Sequence, residues 1–446
     1  MSLLGLAEDA VRKALAAGAE DAEAYVWDAA DLQASVLGGR ASTKESRTSG
    51  VGVRALKGGA VAFMAAAPAA SDAAARAAGG AARFAGLLPP GKASLPEPSR
   101  KTPGPGPRYD TALAALAPDA AARAVAALVR EARGAGGRGA LVFARASLQR
   151  SRWRFAVASS RGVQVQDRGV RASLEVECRV RAGAQERTGL STRAGRTAIG
   201  VRGAGREARE RAEAMLGARQ QAKGVEDVVL DAEAAALLTQ MVMTALAGTT
   251  VAQGRTVLAG KLGEPVGSAA LTIRDGPGCG GPRAARWDDE GTAARDLTLL
   301  DRGVVRGYLL DHASAAKLNM PRTGHGLRGD EERFRQAPTA LPMGLRVEPG
   351  RGAADDLVAE MGRGVVARWG IMGLASLNHT TGEFSVVAPS AFAVRRGEAT
   401  HPLRPVTIAG TLQGLLAGVK RCGADVRTHL QGTTPSLWAG GLTLAS

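Results

Sequence analysis

The sequence predicts an α+β protein, an N-terminal α/β region followed by a large β-rich C-terminal domain. Three observations carry this. Apolar residues recur at helical spacing at the start of the chain and again after residue 110. Runs that alternate apolar and polar residues sit between those helices. From about residue 225 onward, short alternating runs separated by glycines dominate, as expected of a β-rich domain. At 446 residues, 45% of them hydrophobic, the chain is long enough to bury a sizeable core and to form two or three domains. Aromatics make up only 3%, so that core must be packed with Leu, Val, Ala and Met.

The elements follow in order. Leu3, Leu4, Ala7, Ala10, Val11, Ala14 and Leu15 mark the first helix, which Gly18 is placed to end. "AEAYVWD", "DLQASVLGG", "GVGVRAL" and "AVAFMAA" read as strands, the last two joined by a hairpin at Lys57-Gly58-Gly59. An Ala-rich helix then runs to about Phe84. These pieces form a unit over residues 1–88. Residues 89–110, rich in Pro and Gly, suit neither a helix nor a central strand and read as a linker or extended surface loop. A second unit, 111–222, begins with one helix over Thr111–Arg133. Its clearest strand is "SLEVECRVR", in which Leu174, Val176, Cys178 and Val180 share one face. That pattern makes Cys178 a core residue. The helix "GREARERAEAMLGA" closes the unit, with Ala208, Ala212, Met215 and Leu216 on its apolar side. The third unit, 223–446, opens with the strand "EDVVL" and a helix starting near Asp231; a late helix is read at "TLQGLLAGVK".

The formal charge of +16, mostly from arginine, suits either a solvated surface or a polyanionic partner. Cys178, Cys279 and Cys422 form no CxxC pair, which argues against a disulfide scaffold or a Cys-rich zinc site. The first residues do not read as a signal peptide, and no apolar run reaches the roughly 18–20 residues that span a bilayer. A cytoplasmic protein is expected.

The usual catalytic motifs are missing: no GxSxG, no P-loop, no Rossmann glycine fingerprint. His312, His325, His379, His401 and His429 offer no pair on one helix face. Asp288-Asp289-Glu290 in "RWDDEGT" reads as a solvated turn ending at Gly291 rather than a metal site, and "GCGGP" around Cys279 as a loop. His325, with Arg322 and Arg328 nearby in "TGHGLRGD", is a candidate substrate or partner contact. So are His379, Thr380 and Thr381 in "NHTTGEF", although Asn378–Gly382 has the composition of a turn between two strands, "GIMGLASL" and a run with Phe384, Val386 and Ala388 on one face.

The ordered set "GAEDAEAYV", "GVGVRALKGG", "KLGEPVG", "TIRDGP", "WDDEGT", "GYLLDHASAAKL", "RTGHGLRG", "TTGEFSV", "RRGEATHPLRPVTIAGTL" and "TPSLWAGGLTLA" resembles the TldD/PmbA family along nearly the whole chain. PmbA is also called TldE. The resemblance implies a cytoplasmic heterodimer of a TldD-like and a TldE-like subunit, acting as a zinc peptidase on unfolded or small peptides, precursors of ribosomally made natural products among them. It also implies that a TldD-like chain carries HExxxH on the helix after the strand that opens the C-terminal domain. Here Thr239 and Gln240 stand in place of His-Glu, and Thr244 in place of the second His. None of these is a credible Zn²⁺ ligand or a general base near neutral pH. A Cys ligand expected before the final strand is absent from "DVRTHLQGTTPSLW"; Cys422 lies earlier, and His429 stands alone. The resemblance therefore implies a TldE-type subunit with no catalytic or metal-binding residue of its own, zinc being held by a TldD-like partner, and extended peptide bound along strand edges. Two other readings stay open. One is an independent peptide hydrolase using His325 or His379 with Asp288–Glu290. The other is a nucleic-acid or gyrase-associated binding protein, motivated by the charge; against it, the arginines are dispersed and no DNA-binding motif occurs.

Overall fold

The computed structural model describes residues 1–446 except 105, 331, 374, 375 and 431. The chain begins with helix α1 (Leu3–Ala16), capped by the Ser2 side chain, which accepts from the Gly5 amide. Three strands follow: β1 (Asp21–Leu37), β2 (Arg40–Lys57) and β3 (Ala60–Ala66). The two strands predicted at 22–28 and 31–39 are one. Ala29 and Ala30 supply no turn chemistry, and β1 pairs along its length with neighbours on both sides. The hairpin turns at Gly38-Gly39 and Gly58-Gly59 have positive φ at both positions, the conformation that two-residue hairpins select.

After helix α2 (Ser71–Ala85), the single helix predicted over 111–133 is broken into α3 (Thr111–Ala114) and α4 (Pro118–Gly134). Pro118 is the cause. It has no N–H to donate and is favoured at a first helical position, so the chain restarts there. Strands β4 (Ala140–Ser159), β5 (Gln164–Ala182) and β6 (Gln185–Gly195) and helix α5 (Ala204–Ala214) complete this half.

The sheet runs β3-β2-β1-β4-β5-β6, antiparallel throughout. The division placed at 89–110 is therefore not a break in the sheet, because β1 and β4 are hydrogen-bonded neighbours from its two sides. What changes there is the covering layer. On one face, α1 and α2 pack on Ala24, Val26, Val51 and Val53, while α4 and α5 pack on Leu32, Ala34, Leu148 and Leu174. Alternation assigns the odd residues of β1 to the other face. That face is aromatic at one end, with Tyr25, Trp27, Trp153 and Phe155 packed against Phe334 of the C-terminal half. At the other end it carries Asp31, Gln33 and Ser35, which are exposed or half-buried.

From Gly91 to Glu97 the chain is strapped across both halves. The Gly91 and Ala93 amides donate to the carbonyls of Gly58 and Gly59 (3.1 and 2.8 Å), and Leu95 is buried. Ser94 Oγ lies 2.9 Å from His312 Nε2, and Arg322 donates to the Glu97 carbonyl at 3.0 Å.

The C-terminal half is β-rich, as predicted. In chain order it holds β7 (Gly224–Leu230), α6 (Ala236–Ala245), α7 (Gly248–Val251), β8 (Ile273–Asp275), β9 (Leu297–Asp301), β10 (Val304–Val305), α8 (His312–Leu318), β11 (Gly326–Leu327), β12 (Thr339–Ala340) and β13 (Leu345–Val347). Then come α9 (Ala354–Met361), β14 (Arg363–Ala367), β15 (Glu383–Ala388), β16 (Ala391–Arg395), β17 (Glu398–Leu403), β18 (Val406–Thr411), α10 (Leu412–Gly418), β19 (Val419–Cys422), β20 (Arg427–His429), β21 (Gly432–Thr434) and β22 (Leu437–Ala445). One sheet runs β15-β18-β22-β7-β14-β16-β17, with β19 also on β22; another runs β10-β9-β8-β13-β21-β20; β11 and β12 pair separately. The core lies around α6, where Leu238, Met241 and Val242 meet Leu230, Leu300, Leu345 and Phe384.

Candidate functional site

Asp231 starts the turn that leads into α6: its Oδ1 accepts from the amides of Glu233 and Ala234 (3.1 and 2.8 Å). Burial pushes its carboxyl up to about 6, against the pull of the Ala234 amide and of the Trp369 amide, which donates to Oδ2 at 2.9 Å. The predicted apolar stripe Ala235, Leu238, Val242 and Ala245 is wholly buried. Thr239 is also fully buried, and its hydroxyl donates to the Ala236 carbonyl of its own helix at 2.7 Å. Thr244 does the same to the Gln240 carbonyl at 3.4 Å. These are local helix bonds of hydroxyl groups. Two alcohols and a carboxamide do not fit a zinc site, which takes imidazole, thiolate or carboxylate donors.

Other donors lie apart from α6. The Cys422 thiol is buried against the Ala270 carbonyl, and burial pushes it up to about 11. Cys178 and Cys279 are buried too, and both thiols are pushed up to about 12, chiefly by burial. A thiol so placed stays protonated and unreactive near neutral pH, which fits the core role read for Cys178. His429, on β20, has Nε2 at 3.3 Å from Thr434 Oγ1. Among the described residues, no three His, Cys, Asp or Glu side chains gather where they could hold a metal ion.

The acidic run at 288–290 corrects the sequence reading. It is a turn, with the Gly291 amide donating to the Asp288 carbonyl at 3.2 Å, but it is not solvated: all three side chains are about 1% exposed. Asp288 accepts from the amides of Glu290, Thr292 and Gly326 (3.0, 2.7 and 3.0 Å). Asp289 accepts from the Tyr25 hydroxyl (3.1 Å) and the Arg328 amide (2.7 Å). Arg54 bridges Glu290 and Glu23, and Arg328 reaches Glu23 at 3.0 Å. Burial pushes Asp288 and Glu290 upward; at Glu290 the Arg54 guanidinium works against it. This knot joins the N-terminal sheet to the C-terminal half.

His325 is likewise buried, at 0% exposure. Its Nε2 lies 2.8 Å from Asp275 Oδ1 and its Nδ1 2.9 Å from Thr323 Oγ1. The amides of Met343 and Gly344 donate to the same Asp275 carboxylate (2.9 and 3.0 Å). Neither His325 nor Arg328, 2% exposed, presents a surface to substrate or partner, so both leave the set of candidate contacts. The fixed ring satisfies buried donors and acceptors, which is why a loop histidine ends in the interior. Arg322 is half-buried and donates to Thr292 Oγ1 at 3.2 Å as well as to Glu97.

The 378–382 segment is the turn its composition implies. Asn378 Oδ1 accepts from the amides of Thr380 and Thr381 (3.0 and 3.2 Å), and the Gly382 amide donates to the Asn378 carbonyl at 2.7 Å. Phe384, Val386 and Ala388 then face the core. Of the strand predicted before the turn, Leu374 and Ala375 lie outside the described residues. Thr380 and Thr381 are exposed; His379 is half-buried, and its carbonyl accepts from Val257.

The feature that sequence reasoning missed is a cleft over the polar end of the N-terminal sheet. Two adjoining cavities of about 680 and 520 Å³ share Gln33, Gln149, Ser173 and Leu430, and a third of about 410 Å³ continues past Thr192, Arg193 and Thr428. The floor is the face of β1, β4, β5 and β6 opposite the helices. The roof is the segment 426–430 of β20 and its turn. The signal was present in "DLQASVL" and "ASLQRSRW", whose polar positions alternate with buried Leu32, Ala34, Ala146 and Leu148.

A family model described as the PmbA/TldA metallopeptidase C-terminal domain matches residues 223–446. A metalloprotease of Methanothermobacter thermautotrophicus is 29% identical over 226 residues, 50% of this chain and 48% of that protein. The metalloprotease PmbA of Escherichia coli O157:H7 is 29% identical over 203 residues, 45% of this chain and 42% of that protein. The chain thus spans about half the length of the curated relatives it matches. Among solved structures, TldE from Thermococcus kodakarensis superposes with a TM-score of 0.87 at 22% identity, covering 99% of this chain and 100% of that one. At that identity the likeness establishes the shared fold.

Proposed function

The chain belongs to the PmbA/TldD metallopeptidase family, and from that premise we propose that it is the non-catalytic, TldE/PmbA-like subunit of a cytoplasmic zinc peptidase. A TldD-like partner holds the zinc and supplies the general base. This chain completes the chamber in which unfolded or small peptides are cleaved, precursors of peptide natural products among them. The observation that carries the reading is α6. The helix is intact and well packed, yet Thr239, Gln240 and Thr244 occupy the three positions where a metal-binding chain would place His, Glu and His. Thr239 is spent on its own helix backbone.

The test is a reconstitution. An unstructured peptide is offered to this chain, to an HExxxH-bearing homologue from the same genome, and to their mixture, each with and without chelator. Hydrolysis is expected from the mixture alone and only with zinc, together with co-elution of the two chains. Chelator-sensitive cleavage by this chain on its own, or stoichiometric zinc in it, would refute the proposal.

A further inference from the structure

On the open face of the N-terminal sheet, pairing register sets Lys44, Gln33, Gln149, Ser173 and Ala194 side by side on β2, β1, β4, β5 and β6. Ser35 and Ser147 lie in the next row. Five strands spaced ~4.8 Å apart give a track of ~19 Å, the length of about six residues of extended chain. The three cavities follow this track. Its floor is made of hydroxyls and carboxamides, groups that both donate and accept. They can satisfy the N–H and C=O groups of a peptide backbone whatever its side chains. Overhead, Leu430 is 49% exposed and offers an apolar contact.

Carboxylates are unevenly spread along the track: Asp31, Asp330 and Glu332 line the first cavity and Glu175 the second, while among the described residues none lines the third. Lys44 stands at one end and makes no ion pair among the described residues, Asp31 of the neighbouring β1 being one row away. Arg171 and Arg283 both lean on the single carboxylate of Asp330. Past β6, Arg196 lines the third cavity; it is only 8% exposed, its guanidinium lies over the Trp153 ring and donates through Nη1 to the Ala284 carbonyl, and its Nε is buried without a hydrogen-bond partner among the described residues. An occupant with negative charge fits this arrangement better than a neutral or cationic one.

We infer that this track binds an extended, acidic segment of unfolded polypeptide, its backbone against Gln33, Gln149 and Ser173 and its carboxylates toward Arg171 and Arg196. The inference rests on the peptide-handling role proposed above and adds a site within this chain and a charge preference. Substrate would be held by the metal-free subunit while the partner cuts it.

Fluorescence anisotropy on the full chain alone, with neither partner nor zinc, tests this. The probes are a fluorescein-labelled unstructured peptide of alternating Glu and Ser and its Lys counterpart. Saturable binding of the Glu peptide is expected, with the Lys peptide weaker by about tenfold or more. Gln149→Trp, which fills the track from an exposed position, should weaken the Glu peptide by about tenfold. Gln149→Ala should weaken it less, and circular dichroism should show both variants folded. No saturable binding, equal binding of the two peptides, or unchanged binding by a folded Gln149→Trp variant would each overturn the inference. None of those results touches the zinc-partner reading, which falls instead if this chain hydrolyses the bound peptide unaided, a result that leaves the track standing.

Discussion

The imidazole of His312 meets Ser94 where the strap 91–97 crosses onto α8, and its backbone amide donates to Glu290 at 2.7 Å. Burial, with Arg322 and Arg54 adding positive charge nearby, pushes it from the ordinary 6.5 down to about 4. The ring is therefore neutral in the folded chain. Its contribution to stability is complete above pH 6.5 and is lost as pH falls from 6.5 toward 4, because the detached ring takes a proton more readily than the docked one. Limited proteolysis should cut within 89–110 faster at pH 4.5 than at pH 7, and a His312→Asn variant should lose most of that difference. Asp275 makes a second residue-scale case. It serves His325 and two amides in the interior, so Asp275→Ala should lower unfolding free energy by at least about 3 kcal/mol in urea titration. Neither role was legible in the sequence. An Asp or His in a Gly-rich loop looks solvated until its partners are known, and those of Asp289 and Glu290 lie 264 and 236 residues away.

Secondary elements were more legible than these contacts, because periodicity is local. The first helix, the β5 alternation, α5 and the stripe of α6 follow directly from residue spacing. The errors came where a local rule was given too much or too little weight. Ala29-Ala30 was read as a break in what is one strand, and Pro118 was passed over as a helix start. At α6, the packing makes a sharp expectation. Thr239→Val removes only a hydroxyl bonded within its own helix, so it should change stability by less than about 1 kcal/mol and leave hydrolysis by a reconstituted pair unchanged. A marked loss of turnover by a folded variant would mean that Thr239 takes part in the chemistry.

For the whole molecule, the decisive feature is the ion knot where the aromatic end of the sheet meets the C-terminal half. Arg54, its side chain 11% exposed, holds two carboxylates that are each 1% exposed. Arg54→Met would leave Glu290 buried without its guanidinium and Glu23 with Arg328 alone, a loss of about 3–5 kcal/mol. Calorimetry should show a lower melting temperature, and hydrogen exchange should rise in 286–292 and 89–98 before it rises around α6. The sequence hinted at three units; the structure has one sheet across the first two and charged bonds to the third.

The sheet also has an unfinished margin. β3 pairs with β2 only over Val51–Lys57, so among the described residues no strand lies beside the outer edge of Arg40–Gly50. Open backbone donors and acceptors over such a length invite any stray extended chain, another copy of this protein included; charged side chains are one way to keep such visitors off. Lys44 and Glu45 stand on that stretch, both exposed. With both replaced by valine, light scattering should report aggregates growing with concentration where the parent chain stays dispersed, which would make two surface charges the guardians of solubility.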